Sequence, residues 1–373
     1  MAYTGKMSAP NPSADLAALL GPFEGTFSTD PVFRQLYATD ASVYEELPAA
    51  VALPRSEADL QALIALANRA GLGLIPRTAG TSLAGQVVGA GIIVDLSRHF
   101  TRILEIDTEN RTVVVEPGVI RNELNAELAR HGLFFGPETS TQNRAMIGGM
   151  LGNNSCGSNS VVYGSVRDQL VSLEGFLSDG TRIGLGDLDA GGFREKCAVP
   201  GREGDLYRVL RDLLGPEENR RHLAEASPDP AIPRRNTGYA LDLLARSAVF
   251  GEPGGGPLNL ARLVAGSEGT LFLATRIRLR CAEMPPRHVA LACAHFHSIA
   301  DSLEANLTAL EAGPFACELI DHHILDGTKR NLEFQRHRFF IEGDPRALLV
   351  VELRDPSEAA LEQRMAALRK ALV

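Results

Sequence analysis

A glycine-rich segment between two apolar runs contains the residues best suited to bind an anion. It reads PRTAGTSLAGQ over Pro76–Gln86 and lies between Leu72–Ile75 and Ile92–Leu96, which are predicted to form buried strands. Small residues let the backbone approach a ligand closely, and successive N–H groups can form an anion-binding concavity. The segment therefore predicts a pyrophosphate-binding loop, with an ordinary connecting loop as the alternative interpretation.

This segment differs from the two most common phosphate-binding motifs. A Walker A loop ends in Gly-Lys-Ser/Thr, and that ending does not follow here. A Rossmann fingerprint opens a helix directly after a strand, whereas the nearest candidate, Gly71-Leu72-Gly73, precedes the predicted strand. The sequence thus argues against both a P-loop and a Rossmann dinucleotide site.

A second segment combines glycines with amide side chains. It runs from GPETST at Gly136–Thr141 to IGGMLGNNSCG at Ile147–Gly157, and Tyr163-Gly164 follows. Such a composition would let a flat ring and a ribityl chain lie against the main chain. A glycine-rich surface turn is the alternative, but the apolar residues within the segment favour a packed one.

Four segments in consistent order resemble those of the flavoproteins related to vanillyl-alcohol oxidase and to the D-type subunit of glycolate oxidase. In that family the first loop (P-R-G-x-G-T-S-x-x-G) holds the FAD pyrophosphate, and the second holds the isoalloxazine and ribityl portions. Ala265–Leu271 (AGSEGTL) resembles the family's G-S-E-G-T-L turn beneath the flavin. Arg235–Tyr239 (RNTGY) resembles the N-T-G-Y segment of the D-2-hydroxyacid dehydrogenase branch. The similarity covers roughly residues 40–282.

The resemblance implies which residues of this sequence bind FAD. Thr81 stands where relatives that attach FAD covalently often have His, so non-covalent FAD is expected. Met146 stands where a Thr hydroxyl often contacts the cofactor, so one hydrogen bond is expected to be missing. Glu268 is expected to support its own turn, with approach to the flavin as the alternative. The implied FAD-binding residues are Pro76, Arg77, Thr78, Ala79, Gly80, Thr81, Ser82, Gly85, Gln86, Pro137, Glu138, Thr139, Ser140, Met146, Ile147, Gly148, Gly149, Leu151, Gly152, Asn153, Asn154, Ser155, Gly157, Tyr163, Gly164, Glu268, Gly269 and Thr270.

The resemblance also implies a reaction. A D-2-hydroxy acid of the lactate, glycolate or 2-hydroxyglutarate type would transfer a hydride to flavin N5. Arg234, Arg235, Thr237 and Tyr239 are the candidate ligands of the substrate carboxylate, although the arginine pair could equally be solvated. Long forms of the family carry iron–sulfur domains after the cap. Electrons are therefore expected to pass to an iron–sulfur domain or protein, a quinone or a cytochrome.

Two other functions remain open on the sequence. A reductase of the enolpyruvyl sugar-nucleotide type uses the same flavin scaffold, but it needs NADPH and a proton donor that nothing here specifies. A flavin-binding fragment without turnover in this length is the second alternative. In the D-2-hydroxyacid branch, a histidine-rich motif that binds metal and supplies the base lies in the second half of the cap. This motif is expected beyond residue 373.

Composition narrows the class of protein. A chain of 373 residues with 45% hydrophobic residues can bury a large core and is long enough for two domains. A net charge of −9 argues against a nucleic-acid partner. No apolar run reaches membrane-spanning length, and no apolar signal core is present at the N-terminus.

Cysteine and histidine usage suggests a reducing compartment and no metal site. The five cysteines show no C-x-x-C spacing and are predicted to be reduced, mostly structural thiols. The pairs His295/His297 and His322/His323 each lack a third ligand at a recognisable spacing, so no metal site is predicted. The protein is expected in the cytoplasm or at the periphery of the inner membrane.

These segments need an α+β scaffold to position them. The resemblance implies a PCMH-type FAD-binding domain over 41–282, with two α/β subdomains at about 41–101 and 102–282. Residues 1–40 form an N-terminal extension, of which 1–30 are expected to be loosely ordered. A truncated, partial ferredoxin-like cap follows at 283–373, after Pro285-Pro286.

Local patterns predict several elements directly. Ser56 and Asp59 form a capping-box-like start of a helix that ends at Gly71. Other predicted elements are a hairpin of Ile103–Asp107 and Thr112–Glu116, a helix at Arg121–His131, a hairpin turn at Asp179-Gly180, a strand at Thr270–Arg280, and cap elements at His288–His295, Ser298–Leu310, Ala316–Ile320, Leu348–Leu353 and Pro356–Leu372.

Overall fold

The computed structural model describes residues 16–232, 234–235 and 238–372. Thr237, one of the candidate carboxylate ligands, lies outside the described residues, as do residues 1–15 of the N-terminal extension. The described residues combine helices with mainly antiparallel sheets, which confirms the predicted α+β class. None of the described helices is long and apolar enough to span a bilayer.

Elements are numbered in chain order. The helices of the described residues are α1 Leu16–Leu19, α2 Pro31–Leu36, α3 Glu57–Ala70, α4 Arg121–Ala129, α5 Ile147–Asn153, α6 Ser160–Tyr163, α7 Val166–Gln169, α8 Ala190–Ala198, α9 Arg202–Leu214, α10 Glu217–Ala226, α11 Leu241–Ala245, α12 Ala261–Val264, α13 Ile299–Glu311, α14 His322–Lys329, α15 Leu332–Gln335 and α16 Glu358–Leu372, with a short 3₁₀ helix at Ala248–Phe250. The strands are β1 Thr26–Ser28, β2 Ala50–Leu53, β3 Leu74–Arg77, β4 Ile92–Asp95, β5 Ile103–Asp107, β6 Thr112–Val115, β7 Leu133–Phe134, β8 Leu170–Phe176, β9 Arg182–Leu185, β10 Asp187–Leu188, β11 Leu258–Asn259, β12 Leu273–Arg280, β13 Ala282–Glu283, β14 His288–Phe296, β15 Ala316–Asp321 and β16 Ala347–Asp355.

The described residues form two compact units that alternate along the sequence. The first comprises 16–135, 140–155 and the described part of 166–281. The second comprises 136–139, 156–165 and 282–372. The predicted domain boundaries stay predictions.

A four-stranded sheet of the first unit supports the first glycine-rich loop. Its strand order is β1-β2-β4-β3, in which β2, β4 and β3 run parallel and β1 is antiparallel to β2. Strands β2 and β4 are fully buried, and all their residues except Asp95 are apolar, as expected for central parallel strands. The loop therefore leaves the carboxyl end of β3, at an edge of this sheet.

Helix α3 packs against this sheet as its sequence predicts. Ser56 caps it by accepting a hydrogen bond from Asp59 N at 3.2 Å, and Gly71 ends it with a φ of 64°. Leu60, Leu63 and Ile64 are buried on one face, in the core that the helix shares with the sheet. Local capping and apolar periodicity agree here, and the predicted helix is confirmed.

A five-stranded antiparallel sheet forms the second layer of the first unit, with the order β5-β6-β12-β8-β9. The predicted hairpins are confirmed, since β5 pairs with β6 and β8 pairs with β9 across the Asp179-Gly180 turn. Strand β12 begins at Leu273, three residues later than predicted. The reason is a turn in which Thr270 N donates to Ser267 O at 3.0 Å, while Gly269 has a φ of 78°.

Two stretches of the chain contain elements that were not predicted. The lead-in 1–30 was expected to be loosely ordered, but Thr26–Ser28 forms β1, and Thr26 pairs with Leu53. The prediction was wrong there, because Phe23 and Phe27 add apolar contacts to the core beneath α3. The consecutive helices α8, α9 and α10 were not predicted.

The second unit contains a three-stranded antiparallel sheet with the order β14-β16-β15. Helices α13 and α16 cover one face, and the core includes Ala309, Leu349, Val351, Leu361 and Leu368. The order β14-α13-β15 and then β16-α16 confirms the predicted β-α-β…β-α pattern of a partial ferredoxin-like unit.

Asp59 links two parts of the first unit, and its removal tests this link. Its carboxylate is 1% exposed and accepts hydrogen bonds from Glu24 N at 2.8 Å and Arg55 N at 2.7 Å. We expect Asp59→Ala to lower the free energy of unfolding by about 2–3 kcal/mol, because two backbone N–H groups lose a buried, charged acceptor. Urea denaturation followed by circular dichroism measures the change.

The matched control is Glu217→Ala. Glu217 is an exposed acidic residue in the first turn of α10. We expect its removal to change the free energy of unfolding by less than about 0.5 kcal/mol. Equal effects of the two substitutions would contradict the role assigned to Asp59.

Candidate cofactor site

The loop between β3 and β4 presents its backbone to a ligand. Gly80 and Gly85 have φ values of 64° and 75°, which only glycine adopts readily. The backbone N–H groups of Gly80, Thr81 and Ser82 have no acceptor among the described residues. Ser82 Oγ instead accepts from the following turn, from Ala84 N at 3.3 Å and Gln86 N at 3.4 Å. Consecutive unpaired N–H groups make this loop an anion-binding concavity.

Arg77 packs against this loop at Gly80. Its guanidinium lies over the ring of Tyr37, with 5.3 Å from Cζ to the ring centroid, and Nη1 donates to Tyr37 O at 3.3 Å. A Cβ added to Gly80 would lie 2.7 Å from Arg77 Nη2. Tyr37 is itself fixed, because its hydroxyl donates to Asp95 Oδ2 at 2.7 Å. Burial and the Asp95 carboxylate raise the pKa of Tyr37, so the hydroxyl stays protonated.

Helix α5 brings the second segment to the first loop. A Cβ added to Gly149 would lie 2.9 Å from Thr78 Oγ1, so the helix approaches the loop as only glycine allows. Its start is anchored to the chain before α4, because Ile147 N donates to Val119 O at 2.9 Å and Gly148 N to Pro117 O at 2.7 Å. The helix ends at Asn154, whose φ of 50° is left-handed.

The turn from Ala265 to Thr270 meets both of these segments. Gly266 N donates to Leu151 O and Glu268 N donates to Gly152 O, each at 3.0 Å. Gly269, with its positive φ, would place a Cβ 3.2 Å from Pro76 Cδ. These contacts hold the turn against the end of α5 and against the start of the first loop.

Glu268 contacts the first loop through its side chain. Its Oε1 accepts from Gln86 Nε2 at 3.1 Å, and its own φ is 52°. Gln86 Oε1 is buried without a hydrogen-bond partner among the described residues. The Glu268 side chain thus links two cofactor segments, and the Gln86 carbonyl oxygen remains available to a donor.

The fourth segment joins this cluster through Tyr239. The Tyr239 hydroxyl and Thr270 Oγ1 are 2.7 Å apart, and Thr270 Oγ1 donates to Ser267 O at 2.6 Å. Arg235 is engaged elsewhere: Nη2 pairs with Asp242 Oδ2 at 2.6 Å and Nη1 donates to Pro228 O at 2.9 Å. Arg234 is exposed.

The other predicted residues have different surroundings. Ser140 is an exposed turn residue of the first unit, and Asn153 Nδ2 donates to Ser155 Oγ at 3.1 Å. Six belong to the second unit, namely Pro137, Glu138, Thr139, Gly157, Tyr163 and Gly164.

Within the second unit, Glu138, Gly157 and Tyr163 make close contacts. Glu138 N donates to Cys156 O at 3.1 Å, and a Cβ on Gly157 would lie 2.1 Å from Glu138 O. The Tyr163 ring packs edge-on against Phe315, with 5.7 Å between ring centroids. Glycine-dense chain is therefore tightly packed here also, so a free surface turn is the wrong description of it.

The arrangement in the first unit fits a dinucleotide cofactor. Open N–H groups suit a pyrophosphate, close glycine contacts give a flat ring access to the main chain, and Gln86 Oε1 can accept a hydrogen bond. Sequence reasoning missed two residues that support this region, Tyr37 and Asp95. No local pattern marks them, because each acts through partners distant in sequence.

Thiols and histidines of the described residues have ordinary structural surroundings. None of the five cysteines forms a disulfide, and burial raises the pKa of Cys281 to about 12 and of Cys317 to about 11. His295 Nε2 accepts from Glu342 N at 3.1 Å, and the rings of His322 and His323 are 4.0 Å apart. Strand β14 ends at Phe296, so His297 lies beyond the strand that carries His295.

Two family models match the chain. The FAD binding domain model matches residues 48–186, and the model of the C-terminal domain of FAD linked oxidases matches residues 285–372. Two solved structures of alkyldihydroxyacetonephosphate synthase share the fold with TM-scores of 0.59 and 0.60. Each is 16% identical and covers 93% of this chain, and the match spans 56% and 60% of those chains.

Several curated relatives are similar in sequence. D-2-hydroxyglutarate dehydrogenase of Pseudomonas putida is 33% identical over 87% of this chain and 31% of its own length. The Escherichia coli enzyme of the same name is 32% identical over 93% of this chain and 34% of its own length. The glycolate oxidase protein GlcD of Bacillus subtilis is 34% identical over 48% of this chain and 40% of its own. The chain spans about a third of the length of the D-2-hydroxyglutarate dehydrogenases it matches.

The start of α5 provides a test of the cofactor site. A Cβ on Gly148 would lie 2.5 Å from Pro117 Cβ and 3.0 Å from Pro117 O. Such overpacking costs about 1–3 kcal/mol and must displace the helix that touches Thr78. We expect Gly148→Ala to weaken FAD binding at least about tenfold, measured by titrating apoprotein and following flavin fluorescence.

Gly73→Ala is the control for this substitution. Gly73 has open space around its Cβ position and lies just before β3. We expect the Gly73→Ala variant to bind FAD as tightly as the wild type. Unchanged affinity in both variants would show that the position of α5 does not govern binding.

Proposed function

Because the chain belongs to the FAD-linked oxidases, we propose that it serves the FAD-dependent oxidation of a D-2-hydroxy acid. The observation that carries the proposal is the convergence of four sequence segments in the first unit. Thr78, Gly149, Glu268 and Tyr239 represent these segments, and each is linked to another by a contact described above. Bound FAD supplies the hydride acceptor, its N5 atom.

The residues of this chain would hold the cofactor mainly by its backbone. The open N–H groups of Gly80, Thr81 and Ser82 suit the pyrophosphate. The start of α5 and the turn at Glu268–Thr270 suit the ring system and the ribityl chain. The FAD contacts of the six predicted residues in the second unit stay predictions. Thr81 offers no ring nitrogen for a covalent bond, so non-covalent FAD remains the proposal.

The substrate carboxylate requires a cation near the flavin. Arg234 is exposed and precedes Tyr239, whose hydroxyl contacts the turn at Thr270. Two nitrogens of Arg235 bind Asp242 and Pro228. We propose that Arg234 and Tyr239, which are both exposed, bind the carboxylate, and that Arg235 anchors this segment.

The names of the relatives support a proposal for the substrate. Proteins named for D-2-hydroxyglutarate, D-lactate and glycolate are similar to this chain, which favours a 2-hydroxy acid, with 2-hydroxyglutarate foremost. The electrons would pass to an iron–sulfur domain or protein, a quinone or a cytochrome. None of the five cysteines forms a disulfide, which agrees with a reducing compartment, so we propose the cytoplasm or the periphery of the inner membrane.

Anaerobic flavin reduction tests the proposed function. We expect D-2-hydroxyglutarate, D-lactate or glycolate to bleach the visible absorbance of the FAD-loaded protein, because the acid donates a hydride to the flavin. The L-enantiomers of the two chiral acids are the matched controls and should leave the spectrum unchanged. Bleaching by NADPH alone would favour the reductase alternative. A stable flavin that none of these compounds reduces would favour a flavin-binding module without turnover.

The two arginines can be separated by substitution. Arg235→Ala would leave the Asp242 carboxylate, whose side chain is 9% exposed, without its main partner. We expect it to lower the free energy of unfolding by about 2–3 kcal/mol. We expect Arg234→Ala to raise KM about tenfold with a smaller loss of stability, since an exposed carboxylate ligand is removed. Denaturation and steady-state kinetics measure both; a KM effect confined to Arg235→Ala would reverse the assignment.

A further inference from the structure

Arg167 is a buried arginine that is not among the predicted cofactor-binding or carboxylate-binding residues. It lies in α7, is 6% exposed, and its guanidinium donates to backbone carbonyl groups. Nε donates to Arg262 O at 3.0 Å, and Nη2 donates to Gly238 O at 3.0 Å and to Ala265 O. Burial lowers the pKa of Arg167, and the nearby Asp168 and Asp242 carboxylates oppose this shift.

Two of these carbonyl groups, those of Gly238 and Ala265, belong to functionally distinct segments. Gly238 precedes Tyr239 in the segment assigned to the substrate carboxylate. Ala265 begins the turn that contacts α5 and the first loop. A single guanidinium therefore binds both the segment proposed to contact the substrate and the turn proposed to contact the cofactor.

Gly266 makes this close approach possible. Its φ is 88°, and a Cβ there would lie 2.7 Å from Arg167 Nη2 and 3.4 Å from Gly238 O. Any other residue would push the guanidinium away from one of its two segments. The glycine and the arginine thus form one packed junction.

The backbone of Arg167 has a separate role. Arg167 N donates to Asn154 Oδ1 at 2.9 Å, which fixes the residue after α5. A side-chain substitution leaves this bond in place. The contribution of the guanidinium can therefore be separated from the support of the cofactor helix.

We propose that Arg167 is a positioning residue for substrate: its guanidinium holds the Gly238–Tyr239 segment against the Ala265–Thr270 turn at a fixed distance from the flavin. The inference rests on the proposed function, because the segment it positions is the one assigned to the carboxylate. Lysine cannot make all three bonds, because one ammonium group cannot stand in for both Nη2, which donates to Gly238 O and Ala265 O, and Nε, which donates to Arg262 O. The Tyr239–Thr270 contact is a second and more exposed tie between the same segments.

Kinetics of Arg167→Lys provide the first test. We expect the variant to retain FAD with the wild-type spectrum, to raise KM for the D-2-hydroxy acid about tenfold, and to keep the saturating rate of flavin reduction within about threefold. Arg208→Lys is the matched control, because Arg208 Nη1 also donates to carbonyl groups, those of Cys197 and Val199. It should leave KM unchanged. An unchanged KM in Arg167→Lys, with the wild type active, overturns the inference but not the proposed function.

Hydrogen exchange provides a readout that does not depend on turnover. We expect amide exchange over residues 238–247 to be about tenfold faster in Arg167→Lys, and exchange over 78–86 to be unchanged. This outcome supports the inference even if no hydroxy acid reduces the wild-type flavin, a result that would remove the proposed function alone. Equal exchange in the variant and the wild type overturns it.

Tyr239→Phe decides the question if Arg167→Lys does not fold. It removes only the exposed hydroxyl tie and leaves the guanidinium in place. We expect exchange over 238–247 to stay within about threefold of the wild type. A tenfold rise in this variant would show that the hydroxyl, and not Arg167, holds the segment.

Discussion

Close main-chain approach at a few glycines is the constraint on which the cofactor site depends. Gly149 lets α5 come within contact of Thr78, and Gly269 lets the turn before β12 lie on Pro76. Added Cβ atoms would fall 2.9 Å from Thr78 Oγ1 and 3.2 Å from Pro76 Cδ. The backbone forms the surface of the site. The absence of a side chain at these glycines therefore determines the shape of that surface. The two sheets then serve to deliver three short segments to one place.

Much of the fold follows from local sequence. Helix α3 carries its own cap, apolar stripe and glycine stop, and the hairpin turn at Asp179-Gly180 lies between apolar strands. Helix α9 was not predicted, although Tyr207, Leu210 and Leu214 recur at helical spacing and form its buried face. The late start of β12 required knowledge of the turn at Ser267–Thr270, which competes with the strand for the same residues.

Composition predicted which segments form the candidate site, but it did not predict which residues contact one another. Glycine-rich segments indicate that the backbone packs closely against something. Which segments contact one another depends on backbone atoms, and these are the same for every residue type. Arg167 illustrates the limit, since its partners are carbonyl groups 71 to 98 residues away, whose residue types do not matter. Arg235 shows the converse: it has the charge expected of a carboxylate ligand, yet Asp242, seven residues later, already pairs with it.

The interleaving of the two compact units has a consequence for modularity. The Tyr163 ring, which lies inside the stretch matched by the FAD binding domain model, packs on Phe315, which lies inside the stretch matched by the C-terminal model. Gene fusion or recombination that exchanged the later stretch alone would strip this aromatic partner from a tyrosine encoded about 150 codons upstream. Lineages of this fold should therefore inherit both stretches together, or alter the two rings in concert.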